Sequence, residues 1–435
     1  MNLTAVCGKI NKRKDTAMKP IISGLRDIYP DAQEEAQKLR YKNAAKSFEE
    51  HFGSIGSYRM FSAPGRTEIC GNHTDHNHGK VFAGSVDFDI IAIVEPTEDG
   101  VITVKSEGFP EDCINTADLE IKENELNTSA SLIRGVAAGF AKNGYKIGGF
   151  RAYTTSNVMK GSGLSSSAAF EVLIGTILSY LYNEGGISPI KIAQIAQFAE
   201  NKYFGKPSGL MDQMASSVGG FVAIDFKDTE TPIIESIHTD FAQFGHALCI
   251  VDAKGDHADL TDEYASIPAE MKSVAKYFDC ETLRQLSLSD IMLNINDLRK
   301  QFGDRAVLRA IHFFHENDRV DKLVHALKVN CFEDFLSSIK ESGDSSFKYL
   351  QNIYANSDTA HQCLSIALNV AENSLHRKGA CRVHGGGFAG TIQAFVPFDD
   401  LKQFKMNIEK IFGVGSCHVL TVRPRGGTEV VIENM

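Results

Sequence analysis

Two stretches of this 435-residue chain gather glycines, a third gathers carboxylates at helix ends, and a fourth gathers groups that handle a polar small molecule. The first is Gly161-Ser162-Gly163-Leu164-Ser165-Ser166-Ser167-Ala168, a glycine-serine turn. Glycines there let the backbone approach a ligand closely, and the amides that open a following helix carry partial positive charge suited to phosphate. The hydroxyls add donors and one possible ligand for magnesium, a hard cation that prefers oxygen. A flexible loop ending in a serine cap is the plain structural alternative. The chain holds no Walker-type GxxxxGKS/T run, so this is a different kind of phosphate cradle. The second stretch, Gly385-Gly386-Gly387-Phe388-Ala389-Gly390, formally matches GxGxxG. Thr391 to Val396 after it reads as a strand rather than a helix, so the dinucleotide-binding interpretation fails on context. A glycine hairpin closing over a ligand and a tight structural turn both remain.

The third stretch joins Ala199-Glu200-Asn201-Lys202 to Gly209-Leu210-Met211-Asp212-Gln213. Glu200 falls in the last turn of a predicted helix, where the macrodipole disfavours a carboxylate. A nearby cation, Lys202 or plain solvation would each relieve it. Asp212 falls near the start of the next helix, where an acid is unremarkable. The fourth stretch, Ala63 to Gly79, packs Arg66, Glu68, Asn72, His73, Asp75, His76 and His78 between two apolar runs. Its histidines suggest a transition-metal site, but ligands bunched so tightly seldom converge without a distant partner. Recognition of a polar substrate suits the segment better.

These groups need elements to hold them. Tyr58–Ser62, 81–94 and 150–158 read as strands, the last running into the glycine-serine turn and then a long apolar helix from Ala168 to about Tyr182. A helix is predicted near Ala32 to Phe52, ending at Gly53. Another starts at Ser188 as cap with Pro189 in the first turn, carries Ile192, Ile195, Ala196 and Ala199 at helical spacing, and stops before Gly205. Strands are expected at 220–226 and 247–252, helices through most of 263–378, strands around the glycine cluster at 380–396, and a last strand pair near 417–422 and 428–432. A boundary near 235–245 separates a mixed half from a helix-rich half.

Composition narrows the function class. The net charge is -10, from 45 basic and 55 acidic residues, which argues against general affinity for nucleic acid or an anionic membrane. Nine scattered cysteines, an odd count without CxxC, suit free thiols in a reducing compartment. No apolar run suits a signal peptide or a membrane span, so a cytoplasmic protein is expected.

Taken together, GR-x-x-x-x-G-x-HTD, GLSSSAA, AEN followed by GLMDQ-x-AS, and GGGF-x-G, in this order, resemble the galactokinase branch of the GHMP kinase superfamily over about residues 45 to 425. The resemblance implies an α/β (α+β) two-domain fold: an extension over 1–44, a mixed-sheet domain over 45–238 that binds sugar and ATP, and a ferredoxin-like domain over 239–435. It implies transfer of the ATP γ-phosphoryl to the anomeric hydroxyl of galactose, with Mg2+, in a monomer or homodimer. Asp212 and Arg66 take the catalytic positions, and Gly161, Ser162, Gly163, Leu164, Ser165, Ser166 and Ser167 the phosphate loop. Ser166 and Glu200 match the magnesium ligands, and His73, Asp75, Gly209 and Tyr264 the sugar contacts.

Three departures qualify that expectation. Where the family usually reads RVNLIGEH, this chain has Glu68 and Asn72 as though asparagine and glutamate had traded places. A neutral Asn72 beside the sugar's C6 would tolerate a carboxylate, which makes galacturonate a second candidate substrate. The usual adenine-stacking aromatic is missing from Ser129 to Gly135. The usual proline before the phosphate loop is missing too, where Lys160 offers another phosphate contact. Other readings are a different GHMP kinase and a catalytically inactive sugar and ATP sensor; the retained Arg66, Ser166, Glu200 and Asp212 favour an enzyme.

Overall fold

The structure, a computed structural model, describes residues 22–53, 56–158, 163–255 and 260–432. Thirteen strands form two sheets among these residues. They are β1 (Ile22–Ser23), β2 (Arg59–Cys70), β3 (Lys80–Thr97), β4 (Val101–Ser106), β5 (Glu111–Asn115), β6 (Gly149–Ser156), β7 (Phe221–Asp225), β8 (Ile233–Ile237), β9 (His246–Asp252), β10 (Ala380–His384), β11 (Thr391–Pro397), β12 (Cys417–Leu420) and β13 (Thr428–Val430). The large mixed sheet runs β1-β13-β2-β3-β6-β4-β5, with β7 also pairing β3 and β8 pairing β7. The small sheet runs β10-β11-β9-β12, with every neighbour antiparallel. Its chain order is strand, helices, two strands, helix, strand, and its second, third, first and fourth strands lie side by side, the split βαβ arrangement of a ferredoxin-like sheet.

The two last strands do not pair with each other as the sequence suggested. β12 pairs β9 in the small sheet, whereas β13 returns to the large sheet beside β2. The apolar run after Gly79 becomes the single 18-residue strand β3, which extends beyond the expected 81–94 at both ends. It is nearly buried throughout because helices cover one side and other chain segments the other.

Helices α1 (Glu34–Phe52), α2 (Ser129–Lys142), α3 (Ser166–Tyr182), α4 (Pro189–Ala199) and α5 (Met211–Val218) accompany the large sheet. Apolar on all sides, α3 is enclosed by α2, α4, α5 and strands β2 and β3. The sequence signals of α4 hold: the Ser188 hydroxyl accepts from the Lys191 amide at 3.3 Å, and Pro189 opens the first turn. Its end is extended by a π-turn over Glu200–Phe204 that stops at Gly205, whose φ of +91° is the left-handed region that favours glycine.

Residues before β2 are tied into the large sheet by a buried ionic knot. The Asp89 carboxylate accepts from Arg40 at 2.5 Å and Arg423 at 2.9 Å, and from the hydroxyls of Tyr29 and Ser62. Arg40 also donates to the carbonyls of Asp89 and Thr155. Such a buried carboxylate is tolerable only with this number of partners. The segment from Ile22 to Phe52 thus belongs to the body of the fold and braces the end of β6, the strand that leads to the glycine-serine turn.

Candidate active site

Strand β2 changes register against β3 at two places, between Pro64 and Arg66 and between Glu68 and Cys70. Such bulges re-aim side chains, and here they carry Arg66 and Glu68 to the cavity face. Gly65 sits where a Cβ would lie 2.8 Å from the Leu164 carbonyl, the same carbonyl that accepts from the Arg66 amide at 3.0 Å. Only a glycine lets β2 approach the glycine-serine turn this closely. Arg66 then forms a two-pronged pair with Asp212, Nε to Oδ1 at 2.8 Å and Nη2 to Oδ2 at 2.6 Å, while Nη1 donates to the Gly163 carbonyl. Ser165, at φ +56°, adds its hydroxyl to Asp212 Oδ2 at 2.7 Å. Burial on its own would raise the Asp212 carboxyl, but Arg66, Ser165 and Lys206 outweigh it and hold the group below the ordinary aspartate range.

Glu200, 1 % exposed, stands behind this pair with four donors around it. Its Oε1 accepts from Ser167 at 2.9 Å and from Lys206 at 2.9 Å; its Oε2 accepts from Ser208 at 2.6 Å and Gln213 at 2.8 Å. The cation that relieves this helix-end carboxylate is therefore Lys206, not Lys202. The serine hydroxyl that reaches Glu200 is Ser167, which follows Ser166, the first residue of α3. A buried carboxylate beside serine hydroxyls is an all-oxygen donor set. One such carboxylate plus substrate phosphates is how Mg2+ is commonly held, so the residues present fit that ion. Among the described residues no cluster of three or more His, Cys, Asp or Glu could hold a metal, which removes the histidine-rich metal reading.

Gln213 also donates to Glu171 at 3.1 Å, a fully buried acid whose Oε1 has no hydrogen-bond partner among the described residues. Burial, then the neighbouring Glu200 charge, pushes the Glu171 carboxyl well above the ordinary glutamate value. An acid raised in the folded state contributes stability that is complete below its unfolded value and is lost as pH climbs toward its folded value. Glu171→Gln mimics the protonated acid. We expect it to retain near-normal turnover and to lose less thermal stability than the parent between pH 5 and pH 8, as melting curves at the two pH values will report.

The sugar-side residues line a cavity of about 500 Å3 together with Arg66 and Asp212: Glu68, His73, Asp75, Gly209 and Tyr264 all face it. A Cβ at Gly209 would lie 1.7 Å from Asp75 Oδ2, so any larger residue there forces the Asp75 side chain to move. Tyr264 donates to the Gly387 carbonyl at 2.9 Å and packs against Gly386, while His73 Nε2 donates to the Gly386 carbonyl at 3.0 Å. The glycine cluster thus forms a wall of the cavity. Burial, with help from His76, brings the His73 imidazole down to about 3, so it is neutral and its tautomer is fixed by Gly386. Gly209→Ala should displace Asp75 and raise the sugar KM about tenfold with a smaller change in kcat, the signature of lost ground-state binding in steady-state kinetics.

Asn72 does not face this cavity. It is fully buried; its amide nitrogen donates to Glu68 and to the Gly385 carbonyl at 2.7 Å, and its oxygen accepts from Asn352 at 2.8 Å and Ser346 at 3.3 Å. The exchange of Glu68 and Asn72 makes an internal pair, closed by Arg382 donating to Glu68 at 3.0 Å. The expected direct contact between Asn72 and a sugar is corrected accordingly. Gly161 and Ser162 lie outside the described residues, as does Lys160; Gly163, Leu164 and Ser165 surround Arg66, with Ser167 on Glu200. Lys206, Ser208, Gln213 and Glu171 were not anticipated, although Gln213 belongs to the GLMDQ run that flagged Asp212.

Residues 131–220 match the GHMP kinases N terminal domain, and residues 46–96 match the galactokinase galactose-binding signature. A galactokinase of Glaesserella parasuis serovar 5 is 30% identical over 365 residues, 82% of this chain and 90% of the relative. One of Clostridium tetani is 28% identical over 85% of this chain and 92% of its own length. The crystal structure of Lactococcus lactis galactokinase complexed with galactose superposes with a TM-score of 0.77 at 25% identity, covering 89% of this chain and 99% of that one. A mevalonate kinase, 15% identical with a TM-score of 0.59 over 84% of this chain and 99% of its own, shares the fold. The chain belongs to the galactokinase family of GHMP kinases.

Proposed function

We propose that the chain transfers the γ-phosphoryl group of ATP to the anomeric hydroxyl of galactose, giving galactose 1-phosphate. The observation that carries this reading is the Arg66–Asp212 pair, which lies on the cavity that His73, Asp75, Gly209 and Tyr264 line and touches the glycine-serine turn on its other side. A hydroxyl in the cavity is held by Asp212. The turn around Gly163 and the start of α3 present amides and hydroxyls to a phosphate tail. Phosphoryl transfer has a loose transition state and asks mainly for positioning and charge stabilisation, which a carboxylate kept ionised by a guanidinium supplies. The anomeric oxygen forms a bond to the γ-phosphorus as the bond from that phosphorus to the β,γ-bridging oxygen breaks; ADP leaves, and the hydroxyl proton passes to Asp212 or to the transferred phosphoryl group. Arg66 offsets negative charge on the equatorial oxygens. Glu200 and the hydroxyls of Ser166 and Ser167 are the groups that would hold magnesium, which would supply positive charge to the phosphate oxygens.

Galacturonate loses its basis, since Asn72 is turned away from the cavity and the acid Glu68 faces it. A sensor without chemistry has no use for a bidentate Arg66–Asp212 pair beside a buried Glu200. A coupled ADP-release screen over galactose, galacturonate, N-acetylgalactosamine, glucose and mevalonate tests the choice. Galactose should give the highest kcat/KM. A higher value for any other compound replaces the substrate, and release of ADP with none of them overturns the kinase reading.

A further inference from the structure

Lys206 is the one charged group at Glu200 that the reaction above leaves without a task. It sits between Gly205, in the left-handed region at φ +91°, and Pro207, so the turn that presents it is conformationally fixed. Its ammonium lies 2.9 Å from Glu200 Oε1, and its side chain is 54% exposed against 2% for Glu200. The same lysine lines the cavity beside Arg66 and Asp212. Burial disfavours the ammonium, but the charges of Glu200 and Asp212 more than compensate and keep it protonated.

The donors on Glu200 are unequal. Ser167, Ser208 and Gln213 are neutral and short, while Lys206 alone carries charge on a long flexible stem that reaches into the cavity. Oε1 already accepts from Ser167 and Lys206, so a divalent cation on that oxygen must displace one of them, and it repels the ammonium. Resting on the reading of Glu200 as a magnesium-binding carboxylate, we infer that Lys206 is a displaceable counter-ion: it neutralises Glu200 when no MgATP is bound, yields that oxygen to magnesium, and turns its ammonium into the cavity toward the phosphoryl group. Its presence then weakens metal binding to the free protein and adds positive charge where the transfer occurs. Lys206 is accordingly a positioning residue for the metal and a phosphate-side cation in the loaded site.

The test uses Mn2+ alone as the probe, followed by electron paramagnetic resonance of the free ion, on the full chain and on Lys206→Met, Lys206→Arg and Glu200→Gln. Removing one competing charge beside the carboxylate should tighten Mn2+ binding to Lys206→Met by about tenfold. Lys206→Arg should bind Mn2+ like the parent. In steady-state assays with saturating Mg2+, Lys206→Met should lower kcat several-fold and leave the galactose KM within about twofold. Unchanged or weaker Mn2+ binding by Lys206→Met, with Glu200→Gln having lost it, overturns the role of the lysine alone. Equal Mn2+ binding by Glu200→Gln and the parent overturns the magnesium reading of Glu200 and the inference with it.

Discussion

Asp212→Asn is expected to lower kcat about a thousandfold while the protein stays folded and still binds sugar. The asparagine keeps the shape of the carboxylate and can still accept from Ser165 and Arg66. It loses the charge that orients the hydroxyl and receives its proton. Alanine is the poorer test. Asp212 is paired through both oxygens with Arg66, whose side chain is 8% exposed, so truncation would strand a guanidinium and cost stability as well as rate. A first-turn acid is usually cheap to remove, and the sequence read Asp212 that way; the pair with Arg66, a residue 146 positions earlier, makes it expensive. Single-turnover rates with melting curves on both variants separate the two effects.

Arg66→Ala should cost about 100- to 1,000-fold in kcat and change the pH profile as well. In the parent, Arg66 is the largest influence opposing burial at Asp212, and the carboxyl lies below its ordinary value. An acid with a lowered folded value stays ionised down to acid pH, so Asp212 should impose no fall in rate between pH 5 and pH 8. Without Arg66 the burial contribution has only Ser165 and Lys206 against it. The carboxyl then rises, and kcat should develop an acidic limb as pH falls through that higher value. A pH–rate series on both proteins checks this. A drop in rate with no change in profile would mean that Arg66 acts on the phosphate alone.

What the sequence made legible was local. Ser188 and Pro189 announce α4, and Gly205 its end. The chemistry-bearing stretches were also plain, because their residue types are rare outside such sites. The corrections at Asn72 and ahead of β2 concern partners far along the chain. Asn72 was placed beside a sugar because nothing local reveals that Ser346 and Asn352 come from 274 and 280 residues away to surround it. The residues before β2 looked like an extension, yet Tyr29, Gln33 and Arg40 bind Asp89 and Asp87, two acids inside an otherwise apolar strand. Those buried acids were the available signal: a charge in the middle of VDFDII needs partners, and the polar segment ahead of the strand supplies them. The strands β12 and β13, short and close in sequence, were separated only by the tertiary pairing of β9 and β2.

The central claim is that one cavity brings a hydroxyl held by Asp212 within reach of a phosphate tail seated on the glycine-serine turn. The most direct measurement is phosphorus nuclear magnetic resonance of the product made from galactose and MgATP, using galactose labelled with 13C at C1. The account predicts a single new phosphate monoester resonance split by the labelled carbon, formed in step with ADP and missing with Asp212→Asn. Phosphate on another carbon, inorganic phosphate in place of a sugar ester, or undiminished product from Asp212→Asn would contradict it.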